Sequence, residues 1–245
     1  LRGIEPDPLT PRQVPRLARI ARFGAKIPPT PDYAKALQEI GPAAIKFGQA
    51  LATGPDLVGE EAADDLLLLQ DSLPPAPFEA IRAAIEQGLE RPIDEVLAPI
   101  DPEPVGAASI AQVHRAVTTE GSLVAVKVLR PNIEEDFARA LDTYEWAAAQ
   151  VESMGGEAAR LRPRLVVATF RQWTNRELDL RHEAASASEL RENLQAEPGF
   201  FVPAIDWTRT SRRVLTLEWI DGIKVGDRDS LVAPGHGLKT IAAIL

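Results

Sequence analysis

The sequence predicts an α+β protein in which helices come first, a small antiparallel sheet follows, and helices then return. Before residue 100 apolar side chains recur at helical spacing, most clearly in the stripe Phe78, Ile81, Ile85 and Leu89. This period stops after residue 104, where two β-branched runs flank a short polar turn. Helical spacing resumes from Pro131, which completes the order of the predicted elements.

The composition is that of an ordinary globular protein of 245 residues, with 45% hydrophobic and 26% charged side chains. A net charge of −9 argues against a nucleic-acid binder, because phosphate contacts require clustered lysine and arginine. The absence of cysteine excludes disulfides and thiolate metal sites. His114, His182 and His236 lack ligand spacing, so no metal site is expected. No apolar run approaches the roughly 18 residues that span a bilayer.

Residues 1–31 are rich in proline and arginine, and their basic side chains recur at helical spacing. The basic stripe consists of Arg12, Arg16, Arg19, Arg22 and Lys26. We favour the solvated flank of a packed helix over 15–26. A helix that rests on an anionic membrane surface is the alternative interpretation.

Three further helices are predicted before the sheet. Pro42 suits the first turn of a helix that runs toward Thr53, where Gly54-Pro55 stops it. A second helix over 59–70 begins with acidic residues, which the positive end of a helix dipole favours. The third begins at Phe78, after a proline-rich break.

The predicted sheet begins with strands over 110–117 and 123–129, joined by a turn at Glu120-Gly121-Ser122. A helix over 131–153 follows, and Gly155-Gly156 ends it. The remaining predicted elements are a long helix over 164–195, short strands over 201–206 and 213–219, and an interrupted helix over 238–245.

The run Val124-Ala125-Val126-Lys127 places a lysine within an otherwise apolar strand. Burial of an ammonium is costly unless it meets an anion. In kinase-like folds such a lysine holds the α- and β-phosphates of ATP and pairs with a glutamate on a nearby helix. Taken alone, the run is more typical of an edge strand that carries a solvated lysine.

The segment just before the lysine strand is a loop of small residues, namely Gly106, Ala107, Ala108 and Ser109. Small side chains allow backbone N–H groups to approach phosphate oxygens closely. The loop therefore occupies the place of a phosphate-binding loop one strand before Lys127. A tight turn without a ligand is the alternative.

Glu183 is the predicted partner of Lys127. The long helix predicted over 164–195 would place Asp179 and Glu183 on one face, with Glu177 displaced around the helix. A solvated acidic face explains the same three carboxylates without any function.

The strand predicted over 213–219 runs into Ile220-Asp221-Gly222, a short linker of the kind that carries adenine in a kinase. The backbone C=O of Glu218 and the N–H of Ile220 would make the adenine contacts. Loop, lysine strand, glutamate helix and linker follow each other in the order that a kinase-like lobe requires, which strengthens four individually weak signals.

The chain resembles the UbiB-like atypical kinase family of ubiquinone biosynthesis over residues 35–225. The resemblance is carried by Lys46-Phe47-Gly48-Gln49, Asp71-Ser72-Leu73-Pro74-Pro75, Ser109-Ile110-Ala111-Gln112-Val113-His114 and Glu177-Leu178-Asp179.

The resemblance implies a kinase-like lobe with an antiparallel sheet and a helical N-terminal extension that lies over the nucleotide cleft. Lys46 and Gln49, from the KxGQ motif, would point into the cleft and interact with Glu177 and Asp179. They would regulate access by occupying the space of a protein substrate. Lys127 and Glu183 would be the catalytic pair, and ATP or ADP the nucleotide.

The chain departs from the family pattern in two respects. Gly106 takes the first position of the alanine-rich loop, and residue 245 comes before the catalytic loop and the Asp-Phe-Gly-like segment. Mg²⁺ ligands are therefore expected beyond the chain end, and this stretch alone is expected to be inactive. The predicted organisation is a helical extension over 1–100, a lobe over 101–220 and a truncated second lobe over 221–245.

The longer natural protein is expected to be an atypical kinase or ATPase that supports ubiquinone biosynthesis, in the cytoplasm or peripheral to the inner membrane. Pathway proteins and a membrane or lipid surface are its expected partners. A non-catalytic scaffold that senses nucleotide or lipid and recruits biosynthetic partners is the alternative, and a purely structural helical module is a third interpretation.

Overall fold

The structure is a computed structural model that describes residues 32–53, 59–67, 69, 73–197, 199–223 and 230–231. The α-helices are α1 (Tyr33–Ile40), α2 (Pro42–Ala52), α3 (Glu60–Leu67), α4 (Phe78–Leu89), α5 (Ile133–Met154), α6 (Gly156–Arg160), α7 (Pro163–Glu177) and α8 (Leu180–Asn193). The strands are β1 (Leu97–Ile100), β2 (Gly106–Ala107), β3 (Ala111–Thr118), β4 (Leu123–Leu129) and β5 (Val214–Glu218).

The strands form one antiparallel sheet in the order β1-β3-β4-β5, with β2 also paired to β3. The predicted hairpin is confirmed as β3 and β4, which turn at residues 119–122. Its register places Val113 opposite Lys127, and Lys127 lies opposite Leu215 on the other side. The sequence did not predict β1, a four-residue strand that pairs with the far end of β3.

The two faces of β4 pack against different helices. Val124, Val126 and Val128 belong to a buried cluster that includes Ile81 and Ile85 of α4. Because side chains alternate along a strand, Ala125, Lys127 and Leu129 lie on the opposite face. There Leu129 belongs to a second cluster, shared with Phe137 of α5 and with Leu180 and Ala184 of α8.

The helical extension has a core of its own, formed by Ala34, Ile45, Ala52, Leu66 and Leu69. Helix α2 begins with a proline at its first turn, as predicted, and its Ala43 belongs to the second cluster of the lobe. The extension is therefore packed onto the same sheet face as Lys127.

Two predicted elements were wrong. The long helix over 164–195 is two helices, α7 and α8, because Leu178 and Leu180 are both buried and Asp179 between them has extended backbone. The segment 201–206 is not a strand, since only Ile205 forms a bridge, to Leu217. Pro203 has no N–H with which to continue a ladder.

Several predictions lie outside the described residues. These are the basic helix over 15–26, the Gly54-Pro55 stop, the Asp71-Ser72 part of the family motif and the final helix over 238–245. Within the described part of the chain, no helix is both long and apolar enough to traverse a bilayer.

Candidate nucleotide site

Lys127 and Glu183 form the predicted ion pair. The ammonium Nζ donates to Glu183 Oε1 at 2.9 Å and to Oε2 at 2.7 Å. The lysine side chain is 27% exposed and the glutamate 51% exposed, so the pair lies at an open surface rather than in the core. Such a pair adds little to folding stability, which leaves the ammonium available to an incoming anion.

The pair faces a cavity of about 440 Å³ between β4, α8, the small-residue loop and the extension. Ala108 of the loop and the nearby Ile110 line this cavity beside Lys127, and Asp179 and Glu183 line it from the helical side. A lysine cation beside a loop of small residues is chemically suited to phosphate oxygens.

The small-residue loop is held by backbone hydrogen bonds. Gly106 and Ala107 pair with Val113 and Gln112 of β3, and the N–H of Ala108 donates to the carbonyl of Ala111 at 2.8 Å. Ser109 is fully buried. Among the described lining residues, Ala108 is the member of the 106–109 loop that reaches the cavity.

Lys46 of the extension lines the same cavity. Its Nζ lies 3.5 Å from Glu177 Oε2 at the end of α7, and 5.9 Å from the centre of the Trp173 ring. The lysine side chain is only 13% exposed. The structure therefore brings Lys46 and Glu177 together as the family resemblance implied.

The rest of the KxGQ motif behaves differently. Gln49 is half-buried and is not among the described residues that line the cavity. Gly48 is buried where a Cβ atom would lie 2.5 Å from the Cδ1 atoms of Leu37 and Leu69. The glycine thus allows α2 to pack closely against the rest of the extension, a role that the sequence analysis missed.

Asp179 lies just outside the helix that carries Glu183, whereas the sequence analysis placed both within one long helix. It is the N-cap of α8, and its carboxylate accepts from the backbone N–H of Arg181 at 3.1 Å and from Arg181 Nε at 2.9 Å. The side-chain hydrogen bond from Arg181 lowers the pKa of Asp179 to about 2. Its described partner is therefore Arg181 rather than Lys46 or Gln49.

The predicted adenine linker lies at the end of β5. Glu218 lies opposite Val124, its N–H donates to the carbonyl of Ala204 at 2.8 Å, and its carboxylate accepts from Ala204 N–H at 3.2 Å. Neither Glu218 nor Ile220 is among the described residues of the cavity, and Ile220 is 46% exposed. Adenine contacts at these positions stay a prediction.

The carboxylates that line the cavity are paired with cations rather than grouped together. Among the described residues, no three acidic or imidazole side chains lie close enough to hold a metal ion. The carboxylates of Glu177, Asp179 and Glu183 each meet a basic side chain instead. Mg²⁺ ligands beyond the chain end stay a prediction.

A strand lysine that pairs with a helix glutamate beside a small-residue loop defines a kinase-like lobe. The chain belongs to the ABC1 atypical kinase-like family, whose family model matches residues 68–245. The α+β fold and the family predicted from the sequence are thereby confirmed.

Curated relatives carry the name Probable protein kinase UbiB. The protein from Marinobacter nauticus is 42% identical over 207 residues, which are 84% of this chain and 38% of the relative. Those from Xylella fastidiosa strain M23 and Pseudomonas paraeruginosa are 39% and 41% identical, over 85% and 84% of this chain and 38% and 39% of the relatives. The chain thus spans about two fifths of their length.

A solved structure shares the fold. The Rv3197–erythromycin complex from Mycobacterium tuberculosis matches with a TM-score of 0.53 at 24% identity, over 68% of this chain and 40% of that chain.

Proposed function

We propose that the chain binds ATP or ADP in the cavity beside Lys127, as part of an atypical kinase or ATPase that supports ubiquinone biosynthesis. The observation that carries the nucleotide proposal is the Lys127–Glu183 pair, which opens onto the 440 Å³ cavity lined by the small-residue loop. The ubiquinone pathway rests on the family resemblance and on the UbiB name of the relatives.

In this proposal Lys127 contacts the α- and β-phosphates, and Glu183 holds the ammonium in place between substrate molecules. The loop over Gly106–Ser109 wraps the nucleotide, with Ala108 at the cavity and with small side chains that leave room for the phosphates. Glu218 and Ile220 receive the adenine through their backbone groups. Each residue binds or orients the nucleotide, and none of them transfers a proton.

Lys46 and Glu177 line the same cavity and contact each other. In this proposal they lie where a second substrate would approach the phosphates. We assign them a regulatory role, in which the extension restricts access to the nucleotide. The phosphate would then pass to a small acceptor molecule or to none. Gln49 and Asp179 support this arrangement from α2 and from the cap of α8. Access restriction of this kind also favours ATP hydrolysis or nucleotide sensing over protein phosphorylation.

The experiment is a titration of ADP and Mg-ATP into the protein at its natural length, by calorimetry. Lys127→Met is expected to raise the Kd about tenfold or more, because it removes a charge-assisted phosphate contact. Lys35→Met, the same substitution at an exposed site on α1, is the matched control and should bind like the wild type. Equal affinities for all three proteins would refute the nucleotide site.

Hydrolysis measured on the same samples separates the two classes of function. Phosphate release that depends on Lys127 supports an ATPase or kinase. Binding without any turnover, together with pathway defects in cells that carry Lys127→Met, would favour a scaffold that senses nucleotide.

A further inference from the structure

Arg130 is a half-buried side chain that contacts three separate carbonyl groups. It immediately follows β4, three residues beyond Lys127. Its Nε donates to the carbonyl of Ala108 in the small-residue loop at 2.9 Å. Its Nη1 and Nη2 donate to the carbonyls of Pro74 and Leu73, at 3.0 and 3.2 Å. One guanidinium therefore joins the loop to the segment 73–77, which links helices α1–α3 of the extension to α4.

Among the described residues, it is carbonyl dipoles that meet the charge of Arg130. No carboxylate of the described residues lies within ion-pairing distance of it, and burial lowers its pKa. A partly buried cation that is held by carbonyl groups fixes the positions of those groups, because releasing one carbonyl leaves an N–H donor unsatisfied. Arginine suits this task since its planar donors point in fixed directions.

A second contact joins the same two segments. Gln112 of β3 is fully buried and accepts a hydrogen bond at Oε1 from the backbone N–H of Ala76. Gln112 is also the pairing partner of Ala107 in the loop. The linker over 73–77 is thus attached both to β3, which follows the loop, and to the residue that follows β4.

We propose that Arg130 is a positioning residue that couples the helical extension to the nucleotide loop. A shift of the linker moves the Leu73 and Pro74 carbonyls, the guanidinium follows them, and the Ala108 carbonyl changes position at the cavity. The path therefore connects the extension, which carries Lys46, to the loop through the linker over 73–77. This inference rests on the proposed nucleotide site.

Loss of the guanidinium is expected to weaken nucleotide binding, because the loop would have to be ordered when the phosphates bind. Arg130→Lys retains the charge but presents its donors from one point, so it cannot hold carbonyls from both segments. We expect Arg130→Lys to raise the Kd for ADP about fivefold to tenfold. Arg130→Met is expected to do the same, since bridging rather than charge is the property that is lost.

The control is Arg209→Lys. Arg209 is also a buried arginine that bridges segments, through the carbonyl of Val96 at 2.8 Å and the carboxylates of Asp206 and Glu120, but it is not among the described residues that line the cavity. Its replacement should lower the unfolding temperature and leave the Kd for ADP unchanged. If Arg130→Lys changes only the unfolding temperature as well, Arg130 is structural and the inference is wrong.

Coupling is tested by a double-mutant cycle with Lys46→Met. In the protein with Arg130, Lys46→Met should change the Kd for ADP by at least about fivefold. In the Arg130→Lys variant, the same substitution should change the Kd by less than about twofold. Equal changes in both backgrounds, or none in either, contradict the coupling. Lys127→Met in the same series separates the two proposals: if it weakens binding while the Arg130 variants bind normally, only this inference fails.

A measurement on the unaltered protein guards against variants that do not fold. Saturating ADP should slow hydrogen exchange at the Ala76 amide, which donates to Gln112, because ordering the loop also orders the linker. Unchanged exchange at Ala76, with nucleotide demonstrably bound, would overturn the inference.

Discussion

The two faces of strand β4 perform different tasks. One face presents Val126 and Val128, each 0% exposed, to helix α4. The other face presents Lys127, which is 27% exposed and meets a glutamate that is more exposed still. The first face excludes water completely, whereas the second keeps a charge at the edge of an open cavity.

This difference separates the residues that stabilise the lobe from those that bind a ligand. Apolar burial against α4 holds the sheet in shape. The opposite face can then carry a charged pair that contributes little to stability, because the sheet does not depend on it. The following four predictions test this division, beginning with the largest expected effect.

Ile81→Ala should destabilise the lobe by about 2–5 kcal/mol, because it leaves a cavity beside the valines of β4. Ile81 is 0% exposed. Urea unfolding measures the effect, and Glu79→Ala on the exposed side of the same helix serves as control. If Ile81→Ala lowers the free energy of unfolding by less than Glu79→Ala does, α4 is not the main support of the sheet.

Gly48→Ala should destabilise the extension by about 1–3 kcal/mol through overpacking against Leu37 and Leu69. Gly106→Ala is the matched control, since a Cβ there meets nothing within 4 Å. Thermal unfolding of both variants compares a crowded glycine with an open one. Equal unfolding temperatures of the two variants would show that Gly48 is not required for close packing.

Glu183→Gln should raise the Kd for ADP severalfold to about tenfold while the free energy of unfolding changes by less than about 1 kcal/mol. The lysine would keep its charge but lose the carboxylate that orients it. Glu189→Gln, on the exposed part of the same helix, should alter neither quantity. A large stability loss in Glu183→Gln would mean that the ion pair is structural.

Asp179 should give the smallest effect, a pH dependence of stability. Its pKa in the folded protein is about 2, below the ordinary value of 3.8, so its stabilisation is complete above that value and is lost as the pH falls toward 2. Asp179→Asn keeps a good N-cap but cannot titrate. The difference between the unfolding midpoints of the two proteins should therefore be smaller at about pH 3 than at about pH 5. A constant difference would contradict the assignment.

The elements that the sequence predicted well are those encoded locally. The β3–β4 hairpin follows from alternating apolar residues and a glycine turn, and the pairing of Lys127 with a helix glutamate follows from the order of the motifs. The break at Asp179 could not be found in this way. It depends on tertiary contacts, among them the 2.9 Å hydrogen bond from Leu180 N–H to the carbonyl of Arg212.

The contacts of Arg130 were missed for a related reason. They join segments that are 22 to 57 residues apart, and no spacing along the chain signals an arginine that binds carbonyl groups. Strand β1 was missed because Pro99 lies within it and Pro102 and Pro104 follow it, a pattern that indicates a loop.

The most direct test of the central claim is a cycle of Lys127→Met and Glu183→Gln, with the Kd for ADP measured in each variant. In the proposed function Glu183 acts only by orienting Lys127. The double variant should therefore bind ADP as weakly as Lys127→Met alone. If Glu183→Gln instead weakens binding by the same factor in both backgrounds, the two residues act independently. The ion pair would then not be the phosphate-binding device described above.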